Sequence, residues 1–367
     1  MKTQYHVMFD GRMISGKISG VARHLINLIS GLNEISPNNK YSVIINDKNA
    51  LEYFGDKVEI IWAKHKFRSP FEYFEIPKII EQKKPDIFHS PSHSATIPDC
   101  GIPYLITIHD LINMCEQKNV FKLAYGKFML RRSSRLADRV LTVSEYSKKQ
   151  IAKILDVELN NIDVIYSAIQ EKFFKKTDDN KMQEIKKKYN LPDKYILYIG
   201  RNDAYRNLKN TIDAYLKSEV EEPLVLALYW PQVQKFCPTV AKPDKIICVG
   251  PVPDSDLPYI YKASSLFLFL SLMEGFALPV VEAFASGTPA IISNVSSLPE
   301  LSRGCAVEVD PTDVNGISAA IKIAMTDEVL RHRNIELGLA RAQEFTSQKL
   351  AERVLKVYER VLSEHKI

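Results

Sequence analysis

Short apolar runs alternate along the chain with stretches whose apolar residues recur at helical spacing, a pattern that predicts parallel strands joined by crossover helices. YHVMFD, YSVIIN, VEIIWA, PDIF, PYLITI, YILYIG, LVLALYW and KIICVG read as strands. Val21, Leu25, Leu28 and Leu32 mark a helix after the first of them. The densest signal is residues 266–294, LFLFLSLMEGFALPVVEAFASGTPAIISN. Residues 266–270 have the length and composition of a buried strand, and Glu274 and Gly275 open a loop. Pro279 suits the first turn of a helix, Gly287 and Pro289 stop it, and AIIS predicts a second strand.

At 367 residues the chain has room for two domains, each with its own core. A hydrophobic content of 46% with 25% charged residues is that of a soluble globular protein. No apolar run approaches the roughly 20 residues of a membrane span, and the opening residues enter a strand without a signal-peptide pattern, so a cytoplasmic protein is expected. Five scattered cysteines, Cys100, Cys115, Cys237, Cys248 and Cys305, lack the close pairs of a zinc site, which predicts free thiols. The net charge of +5 suits an anionic ligand or membrane surface. Nucleic acid is disfavoured, because no zinc-finger, RNP-like or helix-turn-helix pattern occurs.

In an open parallel sheet, ligands bind at the carboxyl ends of the strands, where the following helix aims its free N–H groups. Glu274 and Glu282 flank such a helix start, one expected in the loop and one in the first turn. Glu274 is placed to accept hydrogen bonds from sugar hydroxyls, whereas dipole compensation explains Glu282 equally well. The amides of Phe276, Ala277 and Leu278 are placed to hold a phosphate. Arg201 and Arg206 follow the strand that ends at Gly200, and two arginines in one such loop suit a diphosphate.

Elsewhere the chemistry is weaker. Gly16 and Gly20 follow the first strand, but GKIS is not a P-loop and no Gly-x-Gly-x-x-Gly occurs there, which disfavours a nicotinamide enzyme. His89, His93 and His109 are expected at strand ends, the first two as structural residues. Asp254 and Asp256 resemble a metal-binding triplet, but they read better as a helix N-cap and a first-turn residue. The aromatics of FRSPFEYFEIPKIIEQKK are expected to build or cover core, the alternative being acceptor binding. A helix over residues 120–139 would carry Lys127, Arg131, Arg135 and Arg139 at i+4 steps, either as a solvated face or as a contact for anionic lipid or a lipid-linked pyrophosphate. No long amphipathic anchor is evident.

The segment EGFALPVVEAFASGTPAIISNVSSLPEL, with Glu274 and Glu282 as its Glu-x7-Glu element, resembles the signature of retaining glycosyltransferase family 4, the group 1 glycosyl transferases. The resemblance implies an α/β chain of two Rossmann-like doubly wound domains facing across a cleft, the GT-B fold. Residues 1–170 would bind acceptor, 171–345 nucleotide sugar, and 346–367 would form a helix packing back toward the first domain. It implies a hexose transfer with retention and no cofactor or essential metal. Glu274 would orient the donor hexose and Glu282 the ribose, while Gly275, Phe276, Ala277 and Leu278 hold the phosphates. Arg201 and Arg206 would stabilise the departing diphosphate. His109, within TIHDL, would contact the sugar near the reacting carbon, Gly20 would allow close backbone approach, and Val252 would line the base pocket.

The chain departs from the family at Arg206, where Lys is usual, at Leu270, where Pro is more frequent, and at Tyr166, Ser167 and Ala168. GDP-mannose is the donor expected first and UDP-hexoses next, with a glycan or polyprenyl-linked saccharide as acceptor in surface polysaccharide synthesis. A peripheral contact with the inner face of the plasma membrane is a further expectation. The rival readings are a nucleotide-sugar 2-epimerase of the same architecture and a non-catalytic nucleotide-sugar binder.

Overall fold

The computed structural model describes residues 4–15, 18–92, 98–117, 119–200, 203–236 and 245–365. Gly16, His93, Arg201 and Cys237 lie outside them. The chain divides into two units, residues 1–168 with 346–367, and residues 169–345.

In the first unit the strands are β1 (His6–Asp10), β2 (Lys40–Ile45), β3 (Val58–Trp62), β4 (Ile87–Ser90), β5 (Tyr104–Thr107), β6 (Arg139–Thr142) and β7 (Ile162–Val164). They form one parallel sheet in the order β3-β2-β1-β4-β5-β6-β7. Helices α1 (Gly20–Ile35), α2 (Glu72–Lys83), α3 (Ile112–Cys115), α4 (Val120–Leu136) and α5 (Glu145–Leu155) connect them. Successive side chains of a strand point to opposite faces, so the central strand β1 feeds two cores. Val7 and Phe9 join the side chains of α1 on one face. Met8 joins Ile76, Ile80 and Ile151 on the other. Ser19 starts α1 by accepting a hydrogen bond from the Ala22 amide at 3.2 Å.

The second unit repeats the plan with β8 (Ile196–Tyr198), β9 (Leu224–Leu226), β10 (Ile246–Cys248), β11 (Leu266–Phe269), β12 (Ala290–Ser293) and β13 (Val307–Val309), in the order β10-β9-β8-β11-β12-β13. Its helices are α6 (Asp179–Lys188), α7 (Leu208–Ser218), α8 (Trp230–Phe236), α9 (Leu257–Ala263), α10 (Leu278–Ala285), α11 (Leu298–Ser302), α12 (Val314–Thr326) and α13 (Glu328–Ala342). Ile196, Leu224, Leu266, Leu268 and Ile291 form one core face under α7 and α12. Both sheets have the doubly wound order, with a reversal of winding between the first and fourth strands of each.

Helix α14 (Ser347–Glu364) returns to the first unit and packs on α1 through Leu350, Val354, Val357 and Val361. The approach is close enough that a Cβ on Gly31 would lie 2.1 Å from the Ser347 carbonyl oxygen. Tyr358 of α14 reaches the sheet, its hydroxyl 2.6 Å from His89 Nδ1.

Several local expectations are corrected. The helix at residues 120–139 ends at Leu136, so Arg139 leaves the basic stripe and opens β6, where it donates to Asp163 at 2.8 Å. Phe71 and Phe74 do not build core; both rings are exposed, and Ile76, Ile79 and Ile80 form the buried face of α2. His89 sits inside β4, fully buried, rather than at a strand end. Asp254 precedes the α9 cap position, which Asp256 occupies without a side-chain cap bond. The Asp256 carboxylate instead accepts from Lys188 Nζ at 2.6 Å and the Tyr189 hydroxyl at 2.7 Å. Cys100, Cys115, Cys248 and Cys305 are free thiols.

Candidate active site

The winding of the second sheet reverses between β8 and β11, and the carboxyl ends of the strands at such a reversal are where open α/β sheets bind ligands. Both loops that follow these strands carry charge. The loop after β8 makes a 3-10 turn over Ala204–Arg206, and Asn207 closes it in the left-handed region (φ 56°), its side-chain amide donating to the Pro311 carbonyl at 2.7 Å. The Leu272 amide donates to the Tyr205 carbonyl at 2.7 Å, which ties the loop after β11 to the loop after β8.

Arg206 Nη1 donates to Glu274 Oε1, and both side chains are largely buried. The guanidinium also lies over the Tyr205 and Phe269 rings, 5.1 and 5.3 Å from their centroids. Burial opposes its charge, the Glu274 carboxylate offsets that and more, and Arg206 is held above the ordinary arginine range. Its Nε is buried and has no hydrogen-bond partner, a donor left over after the ion pair is made.

Glu274 is fixed from the next loop along the sheet. Its amide donates to Ser296 Oγ at 3.1 Å, and Ser297 Oγ donates to its carbonyl at 3.1 Å. Ser296 takes φ 58° to do so. Three residues on, Ala277 occupies the cap position of α10 with φ 74°, a conformation that costs an alanine on the order of 1 kcal/mol and concentrates at functional sites. The Phe276 ring is turned into the unit, edge-on to Phe345 with centroids 5.6 Å apart, so only its backbone belongs to the loop. Leu278 and Pro279 open α10, and Gly275 lies between Glu274 and this turn.

Glu282 is the fifth residue of α10, in its second turn rather than its first. At that depth the dipole no longer accounts for a carboxylate. Glu282 is buried and accepts from the Tyr261 hydroxyl at 3.1 Å. Tyr261 is itself fully buried on α9, edge-on to Phe267 at 5.3 Å. Val252 is half-buried in the turn between β10 and α9.

The remaining candidates belong to the first unit. Gly20 is the exposed first residue of α1. His109 follows β5; its Nε2 donates to the Pro91 carbonyl at 3.0 Å, which leaves Nδ1 as an acceptor. Burial lowers its pKa, with the Pro91 carbonyl opposing, so the ring is neutral at neutral pH. His24 stands edge-on to it at 4.8 Å and hydrogen-bonds Ser167 Oγ through Nδ1 at 3.0 Å. His89 is spent on Tyr358 and on Thr107 Oγ1, the latter 2.8 Å from Nε2.

Sequence reasoning missed Tyr261, Ser296, Ser297 and His24. A tyrosine and two serines carry no spacing signal, and their importance depends on which loop lies beside which in the sheet. His24 was hidden in the helical pattern of α1, as a polar residue on a buried face.

Comparison with known proteins follows the same division. The model of glycosyltransferase family 4 matches residues 18–173, and that of the glycosyl transferases group 1 matches residues 181–341. O-antigen chain mannosyltransferase B of Escherichia coli is 29% identical over 286 residues, 74% of this chain and 74% of that protein. Serotype-specific mannosyltransferase WbdA of Escherichia coli is 28% identical over 290 residues, 75% of this chain but only 36% of that longer protein. The crystal structure of Anabaena Alr3699/HepE in complex with UDP and glucose has a TM-score of 0.76 at 15% identity, covering 97% of this chain and 100% of that one, a likeness of fold. With two family models matching residues 18–173 and 181–341 and a buried ion pair at the reversal of the second sheet, the chain belongs to the group 1 glycosyltransferases of family 4.

Proposed function

We propose that the protein transfers a hexose, mannose from GDP-mannose first among the candidates, to a glycan or lipid-linked saccharide in surface polysaccharide synthesis, with retention and without a metal. The observation that carries the donor site is the buried Arg206–Glu274 pair at the sheet reversal, with an unpartnered Arg206 Nε. A diphosphate oxygen satisfies that donor, and the Glu274 carboxylate orients the donor hexose through a sugar hydroxyl. Arg201, the backbone from Gly275 to Leu278 and the start of α10 add donors for the phosphates. Glu282, steadied by Tyr261, takes the ribose hydroxyls, and Val252 borders the base. For His109 and Gly20 the roles rest on the family resemblance. The O-antigen mannosyltransferases among the relatives favour mannose and a polysaccharide product.

In front-face attack the acceptor oxygen bonds to the anomeric carbon from the side of the departing group. The bond from that carbon to the diphosphate oxygen breaks, and the released oxygen takes the acceptor proton. Fixed charges of this kind supply the largest catalytic term in many enzymes. A metal-free reaction is favoured by the Asp256 carboxylate being engaged with Lys188 and Tyr189. The test is product analysis from GDP-mannose and a mannan oligosaccharide in EDTA. An α-linked product is expected. A β-linked product, an absolute need for Mg2+, or conversion of the donor to an epimer without acceptor would contradict the reading.

A peripheral membrane contact through α4 is part of the proposal. No helix of the described residues is long and apolar enough to cross a membrane. Phe121, Tyr125 and Phe128 recur at i, i+4 and i+7 and are all exposed, Phe121 to 88%. Lys122, Lys127, Arg131, Arg132 and Arg135 accompany them, and residues 120–136 contain no acidic side chain. Of the cations, Arg131 and Arg135 both bond Asp156. Exposed aromatics beside Lys122, Lys127 and Arg132 suit an anionic lipid surface.

A further inference from the structure

Helix α10 is capped at its start by Ala277, three residues after Glu274, and at its other end by Ser286. A cavity of about 330 Å³ opens at that far end. Lys175, Lys176 and Lys262 line it together with Thr177 and Ser286, over apolar walls that include Phe174 and Leu339. No carboxylate lines it among the described residues. Lys175 has a distant partner, with Glu171 Oε2 at 3.7 Å, and both are exposed. Lys176 and Lys262 have no ion-pair partner among the described residues. Ser286 is nine-tenths buried, and its hydroxyl makes no hydrogen bond.

A lysine in the last turn of a helix ordinarily offsets the helix dipole, and Lys262 stands so on α9. That accounts for one of the three cations, because each helix end carries only about half a charge. The last turn of α10 is also closed by protein donors. The amides of Ser286, Gly287 and Thr288 donate to carbonyls of residues 282–284. What remains is an excess of positive charge, an unsatisfied buried hydroxyl, and more room than a bare phosphate fills.

We propose that this cavity is a second anion site, separate from the nucleotide crevice, for a phosphomonoester carried on a body the size of one sugar ring. The lysines would bind the phosphate through charge-assisted hydrogen bonds, and Ser286 would complete the shell. The apolar walls would take the face of the ring.

Calorimetric titration of the full chain with glucose 6-phosphate tests this, with glucose and sodium sulfate as matched probes. The wild type, K176Q/K262Q and S286A are compared, and each is also checked for its thermal shift with GDP and UDP. Binding of glucose 6-phosphate with a Kd at or below about 1 mM is expected, with at least about tenfold weaker binding in K176Q/K262Q. The nucleotide shifts should be equal in all three proteins, since the proposal does not depend on the nucleotide crevice. Absence of binding at millimolar concentration, equal affinity in K176Q/K262Q, or sulfate binding as tightly as the sugar phosphate would overturn it.

Discussion

Arg206 and Glu274 lie 68 residues apart in sequence and are brought into a buried ion pair by the reversal of the second sheet. A buried pair is costly to break because the remaining charge is stranded. This one is nevertheless incompletely satisfied, with Arg206 Nε left over. Stability would be served as well by two apolar side chains, and under the proposed function the pair is the preorganised half of a three-body arrangement with a diphosphate.

Removing one member therefore has two readouts. Glu274→Ala should lower kcat at least about a hundredfold and destabilise the fold by about 3–5 kcal/mol. The Arg206→Met/Glu274→Met double substitution should recover most of the stability and none of the activity. Urea unfolding and transfer assays on the same preparations separate the two. Full activity in Glu274→Ala would remove the residue from the site.

The seam between α1 and α14 makes a sharper prediction about folding. Alanine is the better helix former by about 1 kcal/mol, yet Gly31→Ala puts a Cβ 2.1 Å from the Ser347 carbonyl oxygen and 2.9 Å from Ala351 Cβ. The overlap should win, for a net loss of about 1–3 kcal/mol. A lower urea midpoint with unchanged slope is the expected result.

Buried His89 has its pKa pushed down to about 3, first by burial and then by the neighbouring His109. The unfolded chain takes up a proton near pH 6.5 that the folded chain refuses until about pH 3. Below the unfolded pKa the unfolded state binds more protons, so this residue makes stability fall as pH drops through that window and level off beneath it. Its share of the slope is about 1.4 kcal/mol per pH unit. His89→Gln should flatten the dependence of unfolding free energy on pH between 4 and 6 by that amount. Parallel curves for the two proteins would contradict the assignment.

For α4 the expected loss is in binding and not in stability. Phe121→Ser with Phe128→Ser should weaken sedimentation with phosphatidylglycerol vesicles at least about tenfold, since burying each aromatic contributes about 1.5–3 kcal/mol. Phosphatidylcholine vesicles should bind neither protein, and salt should weaken the wild-type interaction. Equal binding by variant and wild type would place the contact elsewhere.

Much of the fold was legible because the strands are buried on both faces and so read as unbroken apolar runs, as residues 266–269 do between β8 and β12. The loop from Glu274 to Leu278 was legible for a related reason, since a strand, an abrupt charge and Pro279 mark where a crevice must open. What the linear pattern could not show is lateral. Nothing near Tyr261 announces Glu282, and the two serines after β12 hold Glu274 only because β12 lies beside β11. The stripe on α4 was half seen: charge spacing is visible in sequence, whereas the exposure of Phe121 and Phe128 depends on what packs beside the helix. The Asp254 and Asp256 placement shifted because Asp256 found Lys188 and Tyr189, partners from another helix.

The most direct test of the donor crevice is the thermal midpoint of chelator-treated protein with GDP-, UDP-, dTDP- and ADP-sugars, each repeated with Mg2+ and with Arg206→Ala. Only a ligand that binds the folded state raises the midpoint. The account predicts that one nucleotide family raises it without metal and that Arg206→Ala abolishes the rise. No response to any nucleotide sugar, or a response that appears only with Mg2+ and persists in Arg206→Ala, would contradict it.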